Sequence, residues 1–225
     1  MFSIAITTVL LSGLLGGVLV SGAQMLDVIP LIIQAENYEI KEPVQQEILK
    51  EESWIPEEGL ERTFYTLIFN IASGIAFSLM LVAVYLLRGK SVNIKSGIFW
   101  GIVGFIVFSL APSLGLPPEL PGMSAAALDE RQFWWIFTVI LTAVGIGIIT
   151  ESKSIPPKMF AIIFLVLPHI IGAPHPHLFE NIIPAELSSQ FIISSLLTSA
   201  LFWILVGAFS GYFFQKRVQK LTISS

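Results

Sequence analysis

The chain of 225 residues contains no cysteine. That absence excludes disulfides, thiolate metal ligands, iron–sulfur clusters and cysteine nucleophiles, so the chemistry is expected to use nitrogen and oxygen donors. Charge is also scarce, at 12% of residues against 54% hydrophobic, and the mean hydropathy is positive. Soluble domains of this length do not reach such a balance, so the composition indicates an integral membrane protein. Enzyme signatures are missing too: there is no HExxH, no GxSxG and no glycine-rich dinucleotide loop. The RGKS stretch at 88–91 ends like a phosphate loop, but Val84 stands where the first glycine is needed, so it reads as a basic turn and the chain carries no nucleotide motor. A haem site is excluded because only His169 lies near enough to a helical segment. No charged residue falls in the middle of an apolar stretch, so the working parts of a proton relay or voltage sensor are absent. No enzyme, no tightly bound cofactor and no nucleic-acid partner is expected.

What the chain does have is long uncharged runs, at 2–26, 63–87, 96–118, 132–150 and 187–215. Each is long enough to cross a hydrocarbon core of roughly 30 Å as a helix. A sixth run, Met159 to Ala173, would cover only about 22 Å at roughly 1.5 Å per residue. The first run ends in a small-x-small pattern, Ser21 and Ala23, but no basic region precedes it, and it reads as a retained helix rather than a signal. The expectation is an all-α polytopic helix bundle, a single integral membrane domain over 1–225, with six transmembrane helices or alternatively five.

Charge placement favours six. With the N-terminus inside, the inner loops hold Arg88, Lys90, Lys95, Lys153, Lys158, Lys216, Arg217 and Lys220 against one acid, Glu151, and the outer loops hold the other fifteen acids. Basic residues stay on the cytoplasmic side, so both termini are expected in the cytoplasm of a multi-pass cell-membrane protein. The longest loop, 27–62, is acidic and external; it is either a solvated connector, with a short helix over VQQEILKEE, or an electrostatic collector of cations.

Three small-xxx-small pairs, Gly13 with Gly17, Gly97 with Gly101 and Gly207 with Gly211, permit close helix approach in lipid. Polar side chains expected inside the bundle are Gln24, Asn70, Thr138, Thr142 and the run Ser194, Ser195, Thr198, Ser199. Trp134 and Trp135 fall at a predicted outer boundary, where belt anchoring accounts for them. Trp100 and Trp203 are expected to pack on helices within the bilayer.

The third run closes with LAPSLGLPPELPG and the sixth with LPHIIGAPHPH, each a proline, a short spacer, glycine, one residue and proline. Either two helical hairpins are related, as in transporters built from repeats, or both ends simply use turn chemistry. Proline has no amide donor, so irregular backbone is expected at these ends, and such backbone is tolerated only where protein buries it or water reaches it. All three histidines, His169, His175 and His177, lie in the second segment, with Glu180 and Glu186 beyond. Residues two apart in extended chain point the same way, so His175 and His177 are able to share an ion. Imidazole with carboxylate suits divalent nickel, cobalt, zinc or copper, although surface histidines without any metal are the plainer reading.

AENYE at 35–39, APSLGLPPELPG at 111–122, RQFWW at 131–135, PHIIGAP at 168–174 and PAEL at 184–187 together resemble the CbtA family of predicted cobalt transporter subunits, nearly end to end. The resemblance implies a membrane subunit for cobalt uptake linked to cobalamin biosynthesis. It also implies a small single-span partner with a histidine-rich end, CbtB. Two departures stand out: the family is usually described with five spans, and the HPH at 175–177 is an addition to the shared pattern. By motif position, the metal-ligand candidates are His169, Glu119, Glu36 and Glu39, with His175 and His177 as further donors. Gln24, Asn70 and Gln132 are pathway candidates. The expected transported ion is cobalt, or nickel or zinc. Homo-oligomerisation stays open. The rivals are a non-transporting scaffold or assembly subunit and, further off, a membrane enzyme using Glu119, Arg131 and His169.

Overall fold

The computed structural model describes residues 2–39, 56, 59–176 and 182–224, without the side chains of Glu39 and residues 220–224. The described residues form helices α1 (Phe2–Leu26), α2 (Val28–Glu39), α3 (Leu60–Arg88), α4 (Ile94–Ser113), α5 (Leu128–Glu151), α6 (Ile155–Ile171) and α7 (Ala185–Ser224), and no strand. Five of them, α1, α3, α4, α5 and the stretch Ala185–Gln219 of α7, are long and apolar enough to cross a membrane. The protein is an all-α, multi-pass membrane bundle. The sixth apolar helix, α6, has 17 residues, which at 1.5 Å per residue is about 26 Å. Its prolines at the start need no amide partners, and its Gly172 cap adopts a positive φ of 87°.

The chain forms two compact units. The first comprises residues 1–30, 48–102 and 197–225; the second, 31–47 and 103–196. The helix α7 supplies its early turns to the second unit and its later turns to the first.

In the first unit, α1 is built inside out by soluble standards. Its buried face is Thr8, Ser12, Gly13, Gly16, Gly17 and Val20, while Leu10, Leu14 and Val18 are exposed. Lipid tails are as apolar as leucine, so no hydrophobic force drives helices together, and small residues win the interface by letting backbones approach. A Cβ on Gly13 or Gly17 would strike the α3 backbone at Ile75 and Ile71, and Gly74 of α3 meets Gly13 in return. The other two small-residue pairs face each other: Gly97 and Gly101 of α4 abut the Gly207 and Gly211 region of α7, with no room for a side chain on either helix. Trp203 is buried against Phe77, with ring centroids 4.6 Å apart, and the Tyr85 and Ser210 hydroxyls lie within 3.0 Å.

In the second unit, α5 and α6 form an antiparallel hairpin across residues 152–154. Gly145 sits against the Ala161 carbonyl and Leu165 at one end, and the Trp134 and His169 rings lie 6.0 Å apart at the other. The short helix therefore runs beside α5 from its C-terminal end nearly to its start. The helix α4 closes with a π turn, Ile106–Leu110, just before Pro112. The widened turn lets the Ala111 amide reach back to the Ile106 carbonyl, so the missing proline amide leaves no ragged end.

Candidate functional site

The loop from Leu114 to Ala127 carries GLPPELPG, and its shape follows from that sequence. Leu120 is buried, and the Met123 amide donates to the Leu120 carbonyl at 3.2 Å across Pro121 and Gly122. With Gly122 at φ 79°, this is the proline-then-glycine pattern of a type II turn. Leu120 anchors the loop, and its amide also meets the Met123 sulfur at 3.3 Å. Glu119, the preceding residue, is thus fixed at the start of a rigid turn. Its carboxylate accepts from Arg131 of α5 at 2.7 Å, with the two side chains 22% and 31% exposed.

One helical turn from Arg131, Trp134 is 4% exposed. Its indole is the centre of the site. Gly115 lies against its six-membered ring, where an added methyl would come within 2.7 Å of Cζ2 and 2.9 Å of the Ala173 Cβ. His169 presents an edge to the same ring. The two proline–glycine segments noted in the sequence therefore converge on Trp134. Trp134 is too buried for belt anchoring, whereas Trp135 is exposed and lies near Phe108. The Trp134 Nε1–H is buried with no hydrogen-bond partner among the described residues. Below it on the same face of α5 come Thr138 and Thr142, both buried, Thr138 donating to the Trp134 carbonyl at 2.9 Å.

Pro168 lies inside α6 and is buried; the helix continues past it and ends only at Gly172, whose amide donates to the Pro168 carbonyl. His169 is consequently a helical residue, and the irregular chain begins after it, at 172–176. His175 is exposed in that segment. His177, Glu180 and the expected helix over VQQEILKEE lie outside the described residues, as does the side chain of Glu39. Glu36 is half-buried on α2, and Gln132 is exposed near the start of α5. Among the described residues, no three histidine, aspartate or glutamate side chains stand together closely enough to hold a metal ion.

In the first unit, Asn70 of α3 donates through Nδ2 to Gln24 Oε1 at 2.6 Å and to Ser21 Oγ at 3.0 Å, both on α1. This partly buried amide cluster sits beside the close approach at Gly17. Thr138, Thr142, Asn70 and Thr198 are buried as their sequence context suggests; Thr8, Ser12, Ser21, Ser78 and Ser210 are buried as well, and went unmarked because single small hydroxyls carry no periodic signal.

These elements define a multi-pass helical membrane protein in which charged and aromatic groups gather where α5 and α6 meet the 114–127 loop. The CbtA family profile, described as a probable cobalt transporter subunit, matches residues 2–215, and the chain belongs to that family. No curated protein and no solved structure matches it.

Proposed function

We propose that this membrane subunit takes part in cobalt uptake serving cobalamin biosynthesis, and that the Trp134 region is where the incoming divalent ion is first handled. The observation that carries the reading is the family match over residues 2–215. The mechanism we infer starts from the Glu119–Arg131 pair. Glu119 is compensated by Arg131, so a divalent cation must displace a guanidinium to reach the carboxylate. The tethered guanidinium goes on competing with the ion for Glu119, which keeps the ligand displaceable, as release requires. His169 offers an imidazole in the same region, and the buried Trp134 N–H is a donor for a water carried by the ion. Glu36, Glu39, His175 and His177 are the further donors of this proposal, with Gln132 near the entrance. Gln24 and Asn70 are polar lining within the first unit.

Nitrogen and carboxylate donors do not select cobalt over nickel or zinc by affinity alone, so the transported ion is set by geometry and supply. The distribution of basic residues supports cytoplasmic termini, with residues 27–62 outside. A small single-span, histidine-rich subunit is the proposed partner, in keeping with the description of the family as a subunit.

A second reading, a scaffold or assembly subunit that moves no ion, is favoured by two observations: Glu119 already has a cationic partner, and no three-donor group occurs among the described residues. Uptake of labelled cobalt and nickel into vesicles, with and without the small partner, separates the two. Metal-dependent accumulation that falls at least tenfold, by about 1.4 kcal/mol or more, in a His169→Ala, Glu119→Ala double variant supports capture at this site. Partner binding with no accumulation supports the scaffold.

A further inference from the structure

Within the second unit, the inner face of α5 carries a polar line that its neighbours do not fully satisfy. Trp134, Thr138 and Thr142 recur every fourth residue, so they share one face at steps of about 6 Å along the axis. All three are buried. Thr138 donates to the Trp134 carbonyl at 2.9 Å, and its oxygen is still able to accept. The Thr142 hydroxyl, in a residue 2% exposed, makes no such bond to its own helix and has no hydrogen-bond partner among the described residues. A buried hydroxyl left unpaired is costly, and folded interiors resolve nearly all such groups with protein or with water.

The facing helix adds an acceptor along the same stretch. Gly145 of α5 meets Ala161 and Leu165 of α6, and Trp134 meets His169, so Thr138 and Thr142 run past the turn Phe164–Pro168. Pro168 has no amide to donate to the Phe164 carbonyl one turn back, and the proline ring beside that carbonyl is buried. Within a membrane, a carbonyl freed in this way is satisfied by a neighbouring side chain or by an ordered water. Thr142 is the hydroxyl that passes this turn, and it does not make the bond. A water that accepts from Thr142 and donates to the carbonyl satisfies both. A second one, bridging Thr142 to Thr138 with two hydrogen bonds of about 2.8 Å, spans the step of about 6 Å between them.

We propose that bound water occupies the α5–α6 seam from Thr138 to Thr142, and that this seam is the inward route of the ion handled at Trp134. The route rests on the uptake reading above; the bound water does not. The Trp134 N–H stands at the outer end of the seam, where it is left for water carried in by the ion. A dry seam would leave the Thr142 hydroxyl unpaired beside a freed carbonyl, whereas a wet one pairs both. It also gives a cation oxygen ligands on the one face of α5 that is not apolar at this depth, since Ile136, Ile140 and Val144 are all turned outward.

The chain has no cysteine, so a single introduced thiol reports alone. The full chain in lipid vesicles, carrying Thr138→Cys, Thr142→Cys or Val139→Cys, is exposed to silver ion, and the thiols that escape are labelled with a maleimide after unfolding. Val139 is buried at the depth of Thr138 but lies off the polar line. Thiols in contact with water ionise and react, so silver is expected to consume the two threonine-site cysteines at least about tenfold faster than the Val139 one. Cobalt added first is expected to slow both. Thr142→Val keeps the shape and removes the hydroxyl. In a wet seam it strands the water and lowers the unfolding midpoint by about 2–4 °C; in a dry seam it removes only an unpaired group and raises it. A Thr142 thiol no faster than the Val139 thiol, or a raised midpoint in Thr142→Val, overturns the proposal. Fast modification that cobalt leaves unchanged overturns the ion route. Fast modification that cobalt slows, in vesicles that accumulate no cobalt, supports the seam and refutes the uptake reading instead.

Discussion

Arg131 Nη2 lies 2.7 Å from Glu119 Oε2, joining the first turn of α5 to the rigid loop that precedes it. Both groups are part-exposed, so solvent screens the attraction and the pair contributes under about 1 kcal/mol to stability. Its larger effect falls on any cation that approaches Glu119. Replacing Arg131 with Gln removes the competitor and keeps a polar side chain. We expect Arg131→Gln to lower the half-saturating cobalt concentration for uptake by about two- to fivefold, with an unfolding free energy within about 1 kcal/mol of the parent. A large stability loss with unchanged uptake would assign the pair to architecture alone.

Trp134 carries two opposed terms. Its ring fills the space between Gly115, Ala173 and His169, while its N–H is buried without a partner, which costs about 1–3 kcal/mol. Trp134→Phe gives up some burial but removes the orphaned donor, so the net stability change should stay within about 2 kcal/mol, whereas Trp134→Ala should cost about 3–5 kcal/mol. If the indole donates to a water on the passing ion, Trp134→Phe slows uptake in a protein that still folds. Gly115→Ala presses a methyl against the same ring and should cost about 1–3 kcal/mol by overpacking. Gly147→Ala on α5, with open space around it, should be neutral or stabilising by up to about 1 kcal/mol. Thermal unfolding in detergent reads all four.

The α4–α7 crossing rests on the reciprocal contact of Gly97 and Gly101 with Gly207 and Gly211. A methyl on Gly207 would overlap the Gly97 carbonyl, and backbone cannot swing aside as a side chain can. Gly207→Ala should therefore destabilise by about 1–3 kcal/mol. Gly22→Ala on α1, where nothing lies in the way, should stabilise by up to about 1 kcal/mol. Equal unfolding midpoints for the two variants would refute the crossing as drawn.

The spans and the small-residue pairs were legible because each is a local signal: uncharged length for a span, a four-residue glycine spacing for a close approach. Which glycine pair meets which is not local, so the partnering of Gly97 and Gly101 with Gly207 and Gly211 emerges only in three dimensions. Trp134 shows the limit most clearly. A tryptophan beside a basic residue at a span end has the composition of a membrane belt, and nothing in RQFWW tells the first indole from the second. Helical rotation decides it: Trp134 shares a face with Thr138, Thr142 and Gly145, and Trp135 does not. Glu119 and His169 were singled out by motif position, but the guanidinium facing one and the indole facing the other depend on a loop folding back, which spacing does not encode. The 172–176 segment was expected to be irregular from its prolines, and is; that Pro168 stays helical reflects burial outweighing a lost amide bond.

Asn70 tests whether the first unit's paired amides guide an ion or hold helices together. Its Nδ2 serves both Gln24 and Ser21, and the Gly17 contact beside them brings α1 and α3 close enough for those bonds to form. Interhelical side-chain hydrogen bonds in membranes average about 0.6 kcal/mol and reach roughly 1.7 kcal/mol, so Asn70→Leu should lose about 1–2 kcal/mol of stability. A double-mutant cycle with Gln24→Leu should recover a coupling of about 0.5–1 kcal/mol, because removing either partner breaks the same 2.6 Å bond. Transport supplies the discriminating readout. Oxygen donors that line a passage are lost in Asn70→Leu but kept in Asn70→Gln, so a lining role predicts that cobalt uptake falls with the first and recovers with the second. A purely structural latch predicts that uptake tracks stability across both variants, and the amides would then belong to the scaffold of the bundle.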